Sequence, residues 1–181
     1  MKPRRFVALD RDGTLTVEKN YLSDPAGVEL LGGAVAGLLA MRALGLGIVV
    51  VTNQSGIARG YYDEKQLAAI HARLNDLLAA AGVSVDGIYY CPHGPEDACP
   101  CRKPEPGMLL QAAAEHGFSP AECFVIGDKP CDVDLGRRVG ATTFLVRTGY
   151  GAQFAAAGDI GAHHVVDDLQ QAAAVIAGLL R

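Results

Sequence analysis

Short clusters of reactive side chains punctuate this 181-residue chain. The first is Asp10-Arg11-Asp12-Gly13-Thr14 and the second Thr52-Asn53-Gln54-Ser55-Gly56. Cys91, His93, Cys99 and Cys101 follow, with Arg102-Lys103-Pro104 directly behind them, and then Gly127-Asp128-Lys129 with Asp132 nearby. Hydrolysis of a phosphate ester needs a nucleophile, neutralisation of its charge, and an acid for the leaving oxygen. Asp10 offers a carboxylate nucleophile able to form an aspartyl phosphate. Two anions approach each other only across a cation, and Asp10 with Asp128 would hold a hard one through oxygen, which means Mg²⁺ rather than zinc. Asp12, two residues on, would protonate the leaving group, and a neighbouring negative charge would raise its pKa toward that role. Thr52 supplies a hydroxyl and Lys103 a point charge for the phosphoryl oxygens.

Each of these alone has an ordinary explanation, such as a turn, a cap or a solvated lysine. Their common position is what matters. Phe6-Val7-Ala8-Leu9, Ile48-Val49-Val50-Val51, Gly87-Ile88-Tyr89-Tyr90, Cys123-Phe124-Val125-Ile126 and Thr142 to Val146 read as strands, with Val165-Val166 a short sixth. The second is continuously apolar, as a strand covered on both faces must be. Between them the sequence predicts helices over 33–44, 106–116, 132–139 and 168–180. The clearest helix starts near Asp63, with Gln66 as its capping-box partner, and stops at Gly82. Within it Leu67, Ile70, Leu74, Leu77 and Ala81 recur at spacings of three and four. This alternation predicts one α/β domain over 1–181, a doubly wound parallel sheet without a separate cap domain. Ligands bind beyond the carboxyl ends of such strands, where every reactive cluster falls.

The Cys₃His set has the chemistry of a closed tetrahedral zinc site, structural rather than catalytic. The loop it encloses, 91–101, is polar and has no core of its own, so metal binding would supply its local folding energy. Such a knuckle would hold Arg102 and Lys103 over the pocket. Cys123 and Cys131 stand apart and read as core or site-edge packing. His71, beside an apolar helical stripe, reads as a residue at a solvent boundary.

Half of the chain is apolar and a fifth is charged, the balance of a globular protein. The net charge of −4, without a basic stripe, argues against a nucleic-acid partner. No apolar run approaches the roughly 20 residues that cross a bilayer. The basic start, Met1-Lys2-Pro3-Arg4-Arg5, lacks the apolar region of a signal peptide and reads as a solvated tail, so the expected location is cytoplasmic with no membrane partner.

DRDGT at 10–14, TNQSG at 52–56, RKP at 102–104 and GDKPCD at 127–132 together resemble the four motifs of the haloacid dehalogenase superfamily of phosphatases. The resemblance implies Asp10 as nucleophile, Asp12 as acid/base, and Thr52 and Lys103 as phosphate ligands. It implies Mg²⁺ on Asp10, Asp128 and the Asp12 main-chain carbonyl, with Asp132 orienting Lys129 or a metal-bound water. The Cys/His knuckle is similar to that of two relatives, heptose-1,7-bisphosphate 7-phosphatases and histidinol-phosphate phosphatases. TNQSGIARGYY, IYYCPH and CRKPEPGMLL resemble the heptose enzymes more closely. That implies removal of the 7-phosphate of a small heptose bisphosphate during nucleotide-activated heptose biosynthesis, by a monomer. It also implies substrate contacts from Glu18, Lys19, Asn20 and Tyr21, from Asn53, Gln54 and Ser55, and from Arg102. The residues agree in part: Arg59, Arg102 and Lys129 are cations beyond those one phosphate needs, and a second phosphate would use them. A phospho-accepting signalling domain shares the sheet and a strand-end aspartate, but has no use for an acid at Asp12 or for the knuckle. A merely structural zinc protein would leave the strand-end motifs unexplained.

Overall fold

The computed structural model describes residues 4–181; Met1 to Pro3 of the basic start lie outside the described residues. The elements in chain order are β1 (Phe6–Leu9), α1 (Ala34–Ala43), β2 (Gly47–Asn53), α2 (Glu64–Ala80), β3 (Gly87–Cys91), α3 (Gly107–His116), β4 (Phe124–Gly127), α4 (Pro130–Val139), β5 (Thr142–Val146), α5 (Gly151–Ala157), β6 (His164–Val166) and α6 (Leu169–Leu179). The strands form one sheet in the order β3-β2-β1-β4-β5-β6, and every pairing is parallel. Among the described residues no helix is long and apolar enough to cross a membrane.

Alternate residues of each central strand feed opposite cores, which is why these strands are apolar without interruption. Val7, Leu9, Ile48, Val50 and Ile126 pack on one face with Leu38 and Met41 of α1, Ile70 and Leu74 of α2, and Ile176 of α6. Phe6, Ala8, Val49, Val51 and Val125 pack on the other with Met108 and Leu109 of α3 and Leu135 of α4. Asp63 caps α2 through a reciprocal capping box with Gln66, and the chain turns beyond that helix at Gly82, whose φ is +77°.

Two differences from the sequence reading bear on the site. Helix α4 begins at Pro130, earlier than expected, because proline is preorganised for the first helical turn. Helix α5 was not expected at all: its seven residues have no side-chain cap and too little length for an apolar period to register.

The chain winds outward from β1 through β2 to β3 on one side, and from β4 through β5 to β6 on the other. The reversal falls between β1 and β4, the position where such sheets open a crevice at their carboxyl edge. Asp10 follows β1 and Asp128 follows β4, and the Asp10 N–H donates to Ile126 O at 3.0 Å, extending the ladder to the crevice floor. Leu74 is fully buried in the first core, so Leu74→Ala is expected to cost about 2–5 kcal/mol. Asp63→Ala, which removes the cap, is expected to cost about 1 kcal/mol. Urea unfolding midpoints check both values and their order.

Candidate active site

Asp10, Asp128 and Asp132 place carboxylate oxygens within 4.8 Å of one another, and all three side chains are buried. Lys103 answers them: its Nζ donates to Asp10 Oδ1 at 2.9 Å, Asp132 Oδ1 at 2.7 Å and Val51 O at 2.8 Å. Lys103 lies on an irregular segment, and Asn53 at the end of β2 fixes its main chain. The Lys103 N–H donates to Asn53 Oδ1 at 2.9 Å, and Asn53 Nδ2 donates to Lys103 O at 3.2 Å.

Burial by itself would raise the Asp10 carboxyl, but the Lys103 and Lys129 cations and the Arg11 N–H outweigh it and hold it below its usual range. Asp10 is therefore anionic near neutral pH. Its contacts from Lys103 and from the Arg11 N–H both fall on Oδ1, which leaves Oδ2 free for chemistry. Asp128 shows the opposite balance: burial, then the Asp10 charge, push its carboxyl up to about 8. Burial likewise takes Asp132 up to about 6. Lys103 and Lys129 are held above their usual value, the nearby carboxylates overcoming the cost of burial.

These carboxylates fit a divalent cation, and the orphaned oxygens say which ones. Asp128 Oδ2 accepts from the Tyr150 N–H at 2.9 Å, while Asp128 Oδ1 is buried with no hydrogen-bond partner. Both Asp132 oxygens are committed, one to Lys103 Nζ and the other to the Lys129 N–H at 3.1 Å. Asp10 and Asp128 are thus the pair with acceptor capacity to spare. Asp132 orients the Lys103 ammonium. Of the two roles expected of it, orienting Lys129 or a metal-bound water, the first is met only through the Lys129 main-chain N–H and not the ammonium. Gly13, with φ of +83°, and Gly149 press on Asp128 Oδ2 so closely that a Cβ at either would lie 2.2 Å from it.

Asp12 sits in a fork. Arg11 Nε donates to its Oδ1 at 3.1 Å and Arg11 Nη2 to its Oδ2 at 2.8 Å, while Gln54 Nε2 donates to Oδ2 at 3.0 Å. The side chains bonded to Asp12 carry donors, not the negative neighbour that the sequence reading placed beside it. Gln54 Nε2 also donates to Thr52 Oγ1 at 2.8 Å, and the Tyr62 hydroxyl donates to Gln54 Oε1. Gln54 therefore ties the phosphate-binding hydroxyl expected at Thr52 to the expected acid.

A cavity of about 280 Å³ opens over these groups. Asp10, Asp12, Glu18, Asn20, Tyr21, Asn53, Gln54, Ser55, Arg102, Lys103 and Lys129 all border it. Three expected contacts are not among its lining residues, and Thr52 is one of them, buried with its hydroxyl bonded to Gln54. Lys19 turns to Glu29 at 3.1 Å, and Arg59 lies over the Tyr21 ring at 5.6 Å. The loop carrying Lys19 bends through left-handed backbone at Asn20 and Tyr21, with φ of 47° and 64°; asparagine tolerates that region better than most residues, but a tyrosine there gives no sequence signal. Tyr62, Tyr150 and Cys131 also border the cavity; the sequence offered a signal for Cys131, inside GDKPCD, and for Tyr62, at the end of TNQSGIARGYY, but none for Tyr150. Cys123 lies in the core.

The second cluster has the dimensions of a zinc site. A tetrahedron with Zn–S bonds of about 2.3 Å has S···S edges of about 3.8 Å and S···N edges of about 3.5 Å. Cys99 Sγ lies 3.7 Å from both Cys91 Sγ and Cys101 Sγ. His93 Nδ1 lies 3.4 Å from Cys91 Sγ and 3.3 Å from Cys101 Sγ. Only the Cys91–Cys101 edge, at 2.9 Å, is short, and an ion would open it by roughly 1 Å. The cluster grips Arg102 from two sides: the Arg102 N–H donates to Cys99 Sγ at 3.4 Å, and its Nη1 donates to His93 O at 3.2 Å.

Comparison with known proteins agrees with this geometry. Residues 100–172 match a family model described as HAD-hydrolase-like. A Pasteurella multocida protein is 42% identical over 153 residues, covering 81% of this chain and 83% of that one. The chain belongs to the haloacid dehalogenase-like phosphatases. The P. multocida relative is named D-glycero-beta-D-manno-heptose-1,7-bisphosphate 7-phosphatase. A Photorhabdus laumondii relative, 39% identical over 81% of this chain and 84% of its own, carries the corresponding alpha name. Among solved structures, the D,D-heptose 1,7-bisphosphate phosphatase of B. bronchiseptica, complexed with magnesium and phosphate, superimposes with a TM-score of 0.89. It is 33% identical, and the match covers 97% of this chain and 99% of that one.

The Cys/His geometry leads to a measurable expectation. Purified protein should contain about one zinc per chain by elemental analysis, and Cys99→Ser should lose most of it together with thermal stability.

Proposed function

We propose that this chain is a Mg²⁺-dependent phosphatase that removes the 7-phosphate of a D-glycero-D-manno-heptose 1,7-bisphosphate through an aspartyl phosphate on Asp10. The observation that carries the reading is the pairing of an anionic Asp10 with an orphaned Asp128 oxygen on the floor of the crevice. The names of the relatives support the substrate.

In this mechanism an Asp10 oxygen attacks phosphorus while the bond from phosphorus to the sugar oxygen breaks, and Asp12 gives its proton to that oxygen. Water then attacks the aspartyl phosphate, passing a proton to Asp12 as the Asp10–phosphorus bond breaks. Lys103 and the Thr52 hydroxyl hold the phosphoryl oxygens. Asp10, Asp128 and the Asp12 main-chain carbonyl would hold Mg²⁺, which neutralises charge on the phosphoryl group when bound. Asn20, Tyr21 and Ser55 border the sugar. Arg102 and Lys129, which line the cavity, would meet the phosphate that stays on the product. Around an ammonium-bearing substrate such as histidinol phosphate, that surplus of cations would be repulsive.

Asp10→Asn is expected to lower phosphate release from the heptose bisphosphate by at least about a thousandfold with the fold retained, read by inorganic phosphate assay and circular dichroism. Turnover near that of the parent chain would remove Asp10 as nucleophile. The metal should also compete with a proton. Below about pH 8 the metal-free Asp128 carboxyl is protonated, so a cation must displace that proton to bind. Mg²⁺ affinity is therefore expected to fall as pH drops below that value, approaching tenfold per pH unit, as calorimetric titration would measure.

A further inference from the structure

Arg11 heads the fully buried side chains by size, at 1% exposure. A guanidinium so placed is destabilising unless its donors are met. Two of them are met by Asp12. A third, on Nη1, lies 3.1 Å from Nε2 of His71 on α2, sixty residues away. Arginine donates and never accepts, so this contact is a hydrogen bond only if His71 Nε2 bears no proton and the ring is neutral with its proton on Nδ1. The setting agrees: burial first, then the Arg11 charge, hold His71 down at about 4. The solvent-boundary reading of His71 is true of its partial burial but misses this bond.

The guanidinium is planar, so its edges do not move independently. The edge that meets Asp12 and the edge that meets His71 belong to one rigid group. If the acceptor behind Nη1 is removed, the fork is free to rotate toward another partner, carrying both bonds to Asp12 with it. Gln54, braced by Tyr62, supports only Oδ2 of Asp12, and Thr16 Oγ1 reaches Oδ1 only at 3.5 Å while also lying 3.3 Å from Arg11 O, so these contacts fix the plane of the carboxyl weakly without the fork. A general acid displaced by about 1 Å can lose as much as a hundredfold in rate.

We propose that His71 is a positioning residue for Asp12: by accepting from Arg11 Nη1 it locks the fork that aims the Asp12 carboxyl at the leaving oxygen. This rests on Asp12 being the acid, and the experiment separates the two claims. Single-turnover phosphoryl transfer is measured with the heptose bisphosphate, whose alkoxide must be protonated, and with an aryl phosphate, whose phenolate can leave without a proton. His71→Leu is expected to slow the sugar substrate about tenfold and the aryl substrate less than about twofold, with half-saturation unchanged. His71→Gln, whose side-chain oxygen can accept from Nη1, should recover most of the loss. Equal slowing of both substrates by His71→Leu, or no slowing of either, overturns the proposal. Asp12→Asn is the control: selective slowing by Asp12→Asn beside unselective slowing by His71→Leu refutes only the role of His71. Slowing by Asp12→Asn that ignores the leaving group removes the acid itself. Nitrogen NMR of the unaltered protein labelled at histidine keeps the test independent of variant folding. The Nδ1–H tautomer of His71 is expected at neutral pH, and an Nε2–H ring or an imidazolium would overturn the proposal.

Discussion

Burying negative charge is costly, and this fold concentrates three carboxyl groups at the place where its sheet reverses direction. A single ammonium, that of Lys103, bonds to two of them. The third, Asp128, receives one main-chain N–H and has an oxygen with no partner. The imbalance leaves Asp10 charged and keeps Asp128 a proton acceptor of unusual affinity. A divalent cation between them would resolve both conditions at once, by neutralising the nucleophile's surroundings and replacing the proton on its neighbour.

Much of the remaining architecture can be understood as delivery of Lys103 to that spot. Its segment has no helix or strand to position it, so precision comes from either side. Asn53 grips its main chain from β2, and Asp132 meets its ammonium from the first turn of α4. The Cys/His cluster anchors the preceding residue, Arg102, by both main chain and side chain. A metal held by this cluster, so close to Lys103, would thus have a mechanical purpose: it would make an irregular loop as well defined as the strand ends it faces.

The sequence made legible what depends on periodicity and on order along the chain. Uninterrupted apolar strands with polar clusters at their carboxyl ends foretold the sheet and put Asp10, Thr52, Lys103 and Asp128 at one edge. What stayed hidden depends on the direction of individual side chains. Arg11 and His71 meet only because α2 is rotated so that the position next to its buried stripe faces the turn that follows β1, an angle no spacing rule specifies. Asp132 was recognisable as part of a motif and was expected to orient Lys129 or a metal-bound water, yet its bond to the Lys103 ammonium becomes visible only once the crevice between β2 and α4 is formed. Lys19 was misplaced because left-handed backbone at Asn20 and Tyr21 turns the loop without a glycine to announce it. Helix α5 escaped because its worth lies in its approach, where the Tyr150 N–H meets Asp128, rather than in an apolar face.

The packing of Gly13 and Gly149 against Asp128 separates the molecule into a part that tolerates change and a part that does not. No side chain larger than hydrogen fits at either glycine without displacing the carboxylate between them, so the floor of the crevice has the tolerance of a close-packed interior. Tyr21, Glu18 and Arg102 line the walls, where each is at least partly exposed rather than wedged against backbone. Preference among sugar esters can therefore be redesigned, or drift, by exchanging wall residues while phosphorus chemistry continues unaltered beneath them.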